Sequence, residues 1–519
     1  MIKTKSNIFQ RIDNKIIFFS KNTWISLLVV GITGFIIRII FLHTDIPMNS
    51  DNFLYFTYTI NLIQGYSDPN LQALLNDGWS HFLAPFFLLM NSTNFMDYMA
   101  LQKYISVIIS VLAIIPLYYF GRNFLSKSYS IFGCVIFVLE PRIIQNSLFG
   151  ITEPLYLIGV TISLALFFNK KNIFQLISFV VISLTTLIRA EAMFLIIIFG
   201  IIFIVQKGIS KKTFLHVLLI SMIVLSILYP IAEIRTQKTG NDGLLGRITA
   251  GVDHFESVSE NNEEKLINLL FNGGVNLIKF LGWSQIPLLI FFVPVGLILI
   301  LKSRNFYEKS ILAIGVVGII PSIYVYSFAS DSRYLFVVYP ILSIIAVYAL
   351  KYYFIKIQNK KMVASMIFLL IFSTSFIYLD LKDNYKQDLE LYNLSIEISK
   401  RVKIVNDFYP ESSYLKSMGY TKIQKFPITS EELLKENVTV VWISKINSIE
   451  KLIEFSHING ITHLVVDEKD RDSQILKQIY QNEDNYPFLI KEFDSKDYGY
   501  KYHLKIFKIN YEEFRLMNK

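Results

Sequence analysis

Asp51 stands just past the first apolar stretch of the chain, in Ser50-Asp51-Asn52-Phe53-Leu54-Tyr55. Charged residues recur at the corresponding ends of later apolar stretches: Glu153, Arg189, Glu191, Asp331 and Arg333, with Arg38 near the end of the first. An ionised side chain costs roughly 2.5–3.5 kcal/mol at the centre of a membrane span, so such groups are rare there and gather where they serve a polar site. A carboxylate at that level can take a proton from a hydroxyl group. An arginine there suits a phosphate, because its planar fork matches phosphate oxygens and it keeps its charge. Each residue also has an ordinary reading. A lone Asp after a helix is a solvated loop residue or a cap, one arginine can snorkel to headgroups, and a Glu–Arg pair can simply join two helices. Recurrence at one boundary favours a shared polar site over several separate accidents.

The patches differ in content. Tyr55 follows Asp51 by one helical turn, so a short helix would show both on one face, with Asp45 a second carboxylate nearby. Asn76-Asp77-Gly78-Trp79-Ser80-His81 holds an Asp77/His81 pair at i, i+4, a spacing for a cap or for two metal ligands. Two ligands do not make a metal site, so a divalent ion is not indicated and no cofactor is expected. Glu140-Pro141-Arg142 reads equally as a structural pair or a working one, whereas Glu153 in Thr152-Glu153-Pro154-Leu155 reads as functional. Leu187-Ile188-Arg189-Ala190-Glu191 and Asp331-Ser332-Arg333-Tyr334-Leu335 complete the set. The Gly-rich run Gly240–Arg247 lacks the Lys-Ser/Thr ending of a phosphate loop, and the chain contains no HExxH or GxSxG.

The elements that must position these groups follow from composition. Of 519 residues 53% are hydrophobic, and mean hydropathy is +0.44. That average belongs to integral membrane proteins. The net charge of +9 sits in short basic loops, which sets topology and gives no reason to invoke nucleic acid. One cysteine, Cys134, excludes an internal disulfide. A spanning helix needs about 20 apolar residues. Candidates are 24–42, 101–120, 129–147, 149–168, 173–189, 191–206, 213–232, 285–301, 310–328, 334–354 and 362–379. With the N-terminus inside, every short basic loop also falls inside. The expected fold is an α-helical polytopic membrane protein of about eleven transmembrane helices with a small C-terminal extracytoplasmic α/β domain. Residues 1–23 form a basic cytoplasmic N-terminus and 24–380 the membrane domain, with external loops at 43–100 and 233–284. Residues 385–519 form the outer domain, with strands expected at 438–443, 462–466, 488–493 and 500–509 and helices at 449–457 and 473–480.

Four short elements in order resemble the GT-C class of polytopic glycosyltransferases, in particular the dolichyl-phosphate-mannose–protein mannosyltransferase and aminoarabinose-transferase branch. They are Asp51-Asn52-xx-Tyr55, Thr152-Glu153-Pro154-Leu155, Arg189-Ala190-Glu191-Ala192 and Arg333-Tyr334-Leu335, spread over about residues 24–380. Asn52 stands where the class has a second acid, and Ala190 and Ala192 replace Pro and Gly. The oligosaccharyltransferase branch carries Trp-Trp-Asp-x-Gly in its soluble domain, and only an isolated Trp442 is found here. The resemblance implies a sugar taken from a polyprenyl-phosphate donor to a protein, glycan or lipid hydroxyl at the outer face of the cell membrane. Asp51 would be the base, Arg189, Arg333 and Arg38 the phosphate ligands, and Tyr55, Asp77, His81, Glu153, Glu191 and Asp331 the supporting groups. A transporter or lipid flippase also gathers charge in a membrane, but near the midplane between repeated halves. A third reading is a structural partner in a glycan-assembly complex.

Overall fold

The computed structural model describes residues 22–65, 77–240, 242, 262–327, 331–355, 357–406, 412–423, 438–441, 443, 446, 448–468 and 474–517. Trp442 and most of the run 240–247 lie outside these residues. The chain forms two compact units. One comprises Met1–Leu42, Gly65–Ala84 and Lys103–Lys382, and the other His43–Gln64, Pro85–Gln102 and Asp383–Lys519.

Helices occur at the places of all the apolar stretches, from Thr23–Ile40 to Lys360–Lys382. Among the described residues seven helices are long and apolar enough to cross a membrane, or up to nine if each of two bent pairs is one span. The chain is a multi-pass membrane protein. Helices Glu153–Phe167 and Asn172–Ile188 are shorter, at 15 and 17 residues. The stretch 129–147 is not one straight span. Lys127–Val138 and Pro141–Leu148 meet at 52°. Pro141 cannot continue the hydrogen-bond ladder, and the Glu140 carboxylate caps the new helix by accepting from the N–H groups of Arg142 and Ile143 at 2.7 and 3.0 Å. The second bent pair, Leu270–Ser284 and Leu289–Lys302, turns by 99°. The expected external loop 233–284 is therefore partly helical: its start continues Lys211–Thr239 and its end is Asn262–Ser284.

The main core of the first unit is an apolar cluster running from Leu27 to Leu379, with a smaller one of Leu277, Tyr326 and Leu335. One close approach sets its geometry near the site. A Cβ placed on Gly159 would lie 2.3 Å from Thr185 Oγ1, so only glycine lets helix Glu153–Phe167 press onto Asn172–Ile188. That contact aligns the start of one helix with the end of the other.

The second unit contains a five-stranded sheet of order β2-β1-β3-β5-β4. Its strands are β1 (Ile404–Asn406), β2 (Thr439–Val441), β3 (His463–Asp467), β4 (Leu489–Asp494) and β5 (Leu504–Ile509). β1 pairs in parallel with β2 and β3, and β5 runs antiparallel to β3 and β4. β3 is buried at every position, with the apolar Leu464–Val466 between His463 and Asp467. Helices Ile449–Ile458 and Gln474–Gln481 lie where the sequence places them. Residues 43–64 and 85–102, read from sequence as an external loop of the membrane domain, fall in this unit. Helix Ser50–Gln64 meets helix Ser412–Ile423 through aromatic rings: Tyr420 takes edge contacts from Phe53, Phe56 and Phe95 at 5.8, 5.7 and 5.2 Å.

Candidate active site

Glu153, Arg189, Glu191 and Asp331 sit where helices begin or break. Helix Asn172–Ile188 stops at Arg189, whose backbone is extended (φ −146°, ψ 122°), and a single 3-10 turn, Ala190–Ala192, leads into Met193–Lys207. Ala192 is fully buried, so a small residue suffices at this break without proline or glycine. Glu153 opens helix Glu153–Phe167 with Pro154 beside it. A carboxylate there faces the positive end of the helix dipole. Asp331 caps the 3-10 helix Ser332–Val338, its Oδ1 accepting from Arg333 N at 2.9 Å.

These breaks converge on Arg189. Its Nη1 donates to Glu153 Oε1 in a short contact, and its Nη2 donates to Glu191 Oε1 at 3.1 Å. Its Nε lies 3.5 Å from Glu191 Oε2. Thr152 Oγ1 donates to the second Glu153 oxygen at 3.3 Å. The rings of Tyr156 and Tyr334 flank the guanidinium at 5.8 and 5.2 Å. One positive charge thus faces two negative ones in a nearly dry setting. The side chain of Glu153 is 2% exposed and that of Glu191 19%. The Tyr156 hydroxyl is buried and makes no hydrogen bond. Arg333, one residue before Tyr334, pairs through Nε with Asp331.

A strap made by residues 77–81, at the start of helix Gly78–Leu89, lies against the segments that lead into this cluster. A Cβ on Gly78 would lie 2.7 Å from the Leu187 carbonyl oxygen, so the backbone of the strap touches the segment entering Arg189. The Trp79 indole N–H donates to Gly150 O at 3.0 Å, beside the segment entering Glu153. Asp77 pairs with Arg235 Nη2 in a short contact and lies 3.6 Å from His81 Nε2. Burial pushes the Asp77 carboxyl up, but the bond to His81 and the Arg235 charge outweigh it and hold it below 3.8. Asp77 is therefore tied to an arginine. Among the described residues no group of three or more His, Cys, Asp or Glu is placed to hold a metal ion.

Arg235 escaped the sequence reading because it follows the apolar stretch 213–232 and pairs across 158 positions. A single arginine at the less basic end of a span was the available signal. Tyr156 and Gly78 carried none.

Arg38 and Arg142 have other partners. Arg38 is fully buried and spends four donors inside the bundle, on Ser147 Oγ, Gly34 O, Val138 O and Ser110 Oγ. Arg142 donates to the Trp283, Ser284 and Ile286 carbonyls and binds the end of helix Asn262–Ser284. Asp51 and Tyr55 belong to the second unit. Asp51 is exposed at the first turn of helix Ser50–Gln64, and Tyr55 is 8% exposed. Ser50, just before Asp51, has φ +50°, a strained value for a residue with a Cβ.

No family model matches the sequence, and no curated protein matches it. Solved structures do match the fold. ArnT from Cupriavidus metallidurans bound to undecaprenyl phosphate aligns at TM-score 0.57 and 9% identity, over 94% of this chain and 98% of that one. The apo oligosaccharyltransferase of Archaeoglobus fulgidus aligns at TM-score 0.56 and 12% identity, over 86% of this chain and 69% of that one. The oligosaccharyltransferase AglB of the same organism, in complex with an inhibitory peptide and a dolichol-phosphate, gives 0.54 and 12% over the same shares. These neighbours are GT-C glycosyltransferases, and the chain has their fold. The likeness extends to the oligosaccharyltransferase branch, which the missing Trp-Trp-Asp-x-Gly element sets aside by motif.

Proposed function

We propose that this protein is a glycosyltransferase that moves a sugar from a polyprenyl-phosphate carrier to a hydroxyl of a protein, glycan or lipid acceptor. One observation carries the reading: in a GT-C fold, the Thr152–Tyr156, Arg189–Glu191 and Tyr334 segments come together around one buried guanidinium. The solved neighbours bound to undecaprenyl phosphate and to a dolichol-phosphate support the donor class. The distribution of basic loops supports eleven crossings with the N-terminus inside and the site at the outer face.

The chemistry needs few parts. The acceptor oxygen attacks the anomeric carbon, and its proton passes to a carboxylate. The bond from that carbon to the phosphate oxygen breaks, its electron pair leaving with the lipid phosphate. One displacement inverts the centre. Arg189 would hold the charge that develops on the phosphate, with Arg333 the second candidate. The base role goes to Asp51 on its place in the sequence pattern, with Asp45 and Asp77 next. Asp77 is the weaker of these, because its carboxylate is committed to Arg235. Arg38 is left out, because its donors serve the bundle.

Membranes holding the wild type or Asp51→Asn, supplied with radiolabelled polyprenyl-phosphate mannose, glucose or aminoarabinose, test the reading. Label reaching protein or glycan with the wild type, and about 100-fold less with the variant, is the expected result. Equal transfer by both moves the base elsewhere. Glu153 and Arg189 side chains reachable from both faces of the membrane would favour a transporter instead.

A further inference from the structure

The two carboxylates on Arg189 are not equivalent. Glu153 is enclosed, takes Nη1 in a short contact and has its other oxygen on Thr152. Glu191 is more open, its side chain 19% exposed against 2% for Glu153, and meets Nη2 and Nε at 3.1 and 3.5 Å. It therefore lies side-on across the Nη2/Nε edge, the edge of a guanidinium that takes two oxygens of one anion. The Tyr156 ring flanks the same guanidinium, 5.8 Å from its carbon; the residue is 4% exposed and its hydroxyl is buried without a hydrogen-bond partner. A buried hydroxyl left unpaired costs about 1–3 kcal/mol, and an arriving acceptor atom removes that cost.

We propose that Glu191 is an exchangeable stand-in for the donor phosphate. The inference rests on the reading above, that the phosphate of the lipid carrier meets Arg189. On binding, phosphate oxygens replace the Glu191 carboxylate on Nη2 and Nε and one accepts from the Tyr156 hydroxyl, while Glu153 keeps its hold on Nη1. The exchange suits the charges. A lipid phosphodiester carries one negative charge, as Glu191 does, so Arg189 is neutralised equally before and after. Once the sugar has left, the lipid phosphomonoester carries about 1.5–2 negative charges at neutral pH and holds the arginine harder. Glu191, still alongside, opposes it by like charge and promotes its release. Glu191 is then a specificity and release residue rather than a catalytic one.

The test uses the purified full-length chain in detergent and two probes, undecaprenyl phosphate and undecaprenol, with binding read by equilibrium competition against a labelled lipid. Glu191→Gln removes the competing charge and keeps the shape. It is expected to bind undecaprenyl phosphate about tenfold tighter, equal to about 1.4 kcal/mol. It should bind undecaprenol as the wild type does. Tyr156→Phe, which leaves the ring and removes only the hydroxyl, is expected to bind the phosphate about tenfold more weakly, again with undecaprenol unchanged. Unchanged or weaker phosphate binding by Glu191→Gln overturns the proposal, as does tightening towards both lipids, which would mark a general loosening. Unchanged binding by Tyr156→Phe removes the hydroxyl from it. A wild type that binds phosphate and alcohol alike would instead defeat the donor reading itself.

Discussion

Asp77 illustrates what one carboxylate gains from its neighbours. It is 15% exposed, and burial pushes its carboxyl up, yet His81 and Arg235 hold it below the usual carboxylate value. A depressed acid contributes stability that is present above its unfolded pKa and lost as pH falls through the folded value. Asp77→Asn is therefore expected to lower the melting temperature by a constant amount above about pH 5, with the gap closing as the medium is acidified below pH 4. A gap that widens on acidification would mean that the pair does not hold the strap. At this scale the sequence was informative wherever charge was out of place. Glu153, Arg189, Glu191 and Asp331 stood out because their surroundings are apolar. Arg235 did not, because it lies in a polar stretch and its partner is remote in sequence.

Among the elements, the contact between helices Glu153–Phe167 and Asn172–Ile188 decides whether Glu153 can reach Arg189. Thr185 Oγ1 is held by the Val181 carbonyl at 2.8 Å, so it cannot easily give way to a methyl group on Gly159. Gly159→Ala is expected to cost about 1–3 kcal/mol by overpacking, seen as a lower melting temperature and reduced sugar transfer. Adding Thr185→Ala should restore much of both. An undisturbed single variant would show that the helices are free to part. The helices themselves were legible as apolar runs, β2 and β3 as short apolar segments, and β4 and β5 as a closing pair. β1 was not, because three residues following a helix give no period to read. The bend at Glu140-Pro141 was visible as a motif, but the apolar residues on both sides made it look like one span.

The whole chain passes between its two units after residues 42, 64, 84, 102 and 382. Hydropathy shows only the last of these passages, because it is where the apolar runs end. The others are invisible because 43–64 and 85–102 join the second unit through side-chain contacts with residues hundreds of positions later. Tyr420, 3% exposed, is one such contact, enclosed by Phe53, Phe56 and Phe95. A separate 383–519 fragment would lose those three rings. It is expected to bind a hydrophobic dye and to self-associate, and Tyr420→Ser should reduce both. A monomeric fragment that leaves the dye dark would show that this face is closed by 383–519 alone.

Trp79 has a use beyond its hydrogen bond to Gly150. Among the described tryptophans it is 0% exposed, whereas Trp24 and Trp283 are 58% and 65% exposed. Lipids that carry bromine on their acyl chains quench indoles that touch them and spare those that do not. In a brominated bilayer, with Trp442 of the second unit replaced by Phe, the light that persists would come chiefly from Trp79, so the protein carries its own optical reporter of the ground beside Glu153 and Arg189.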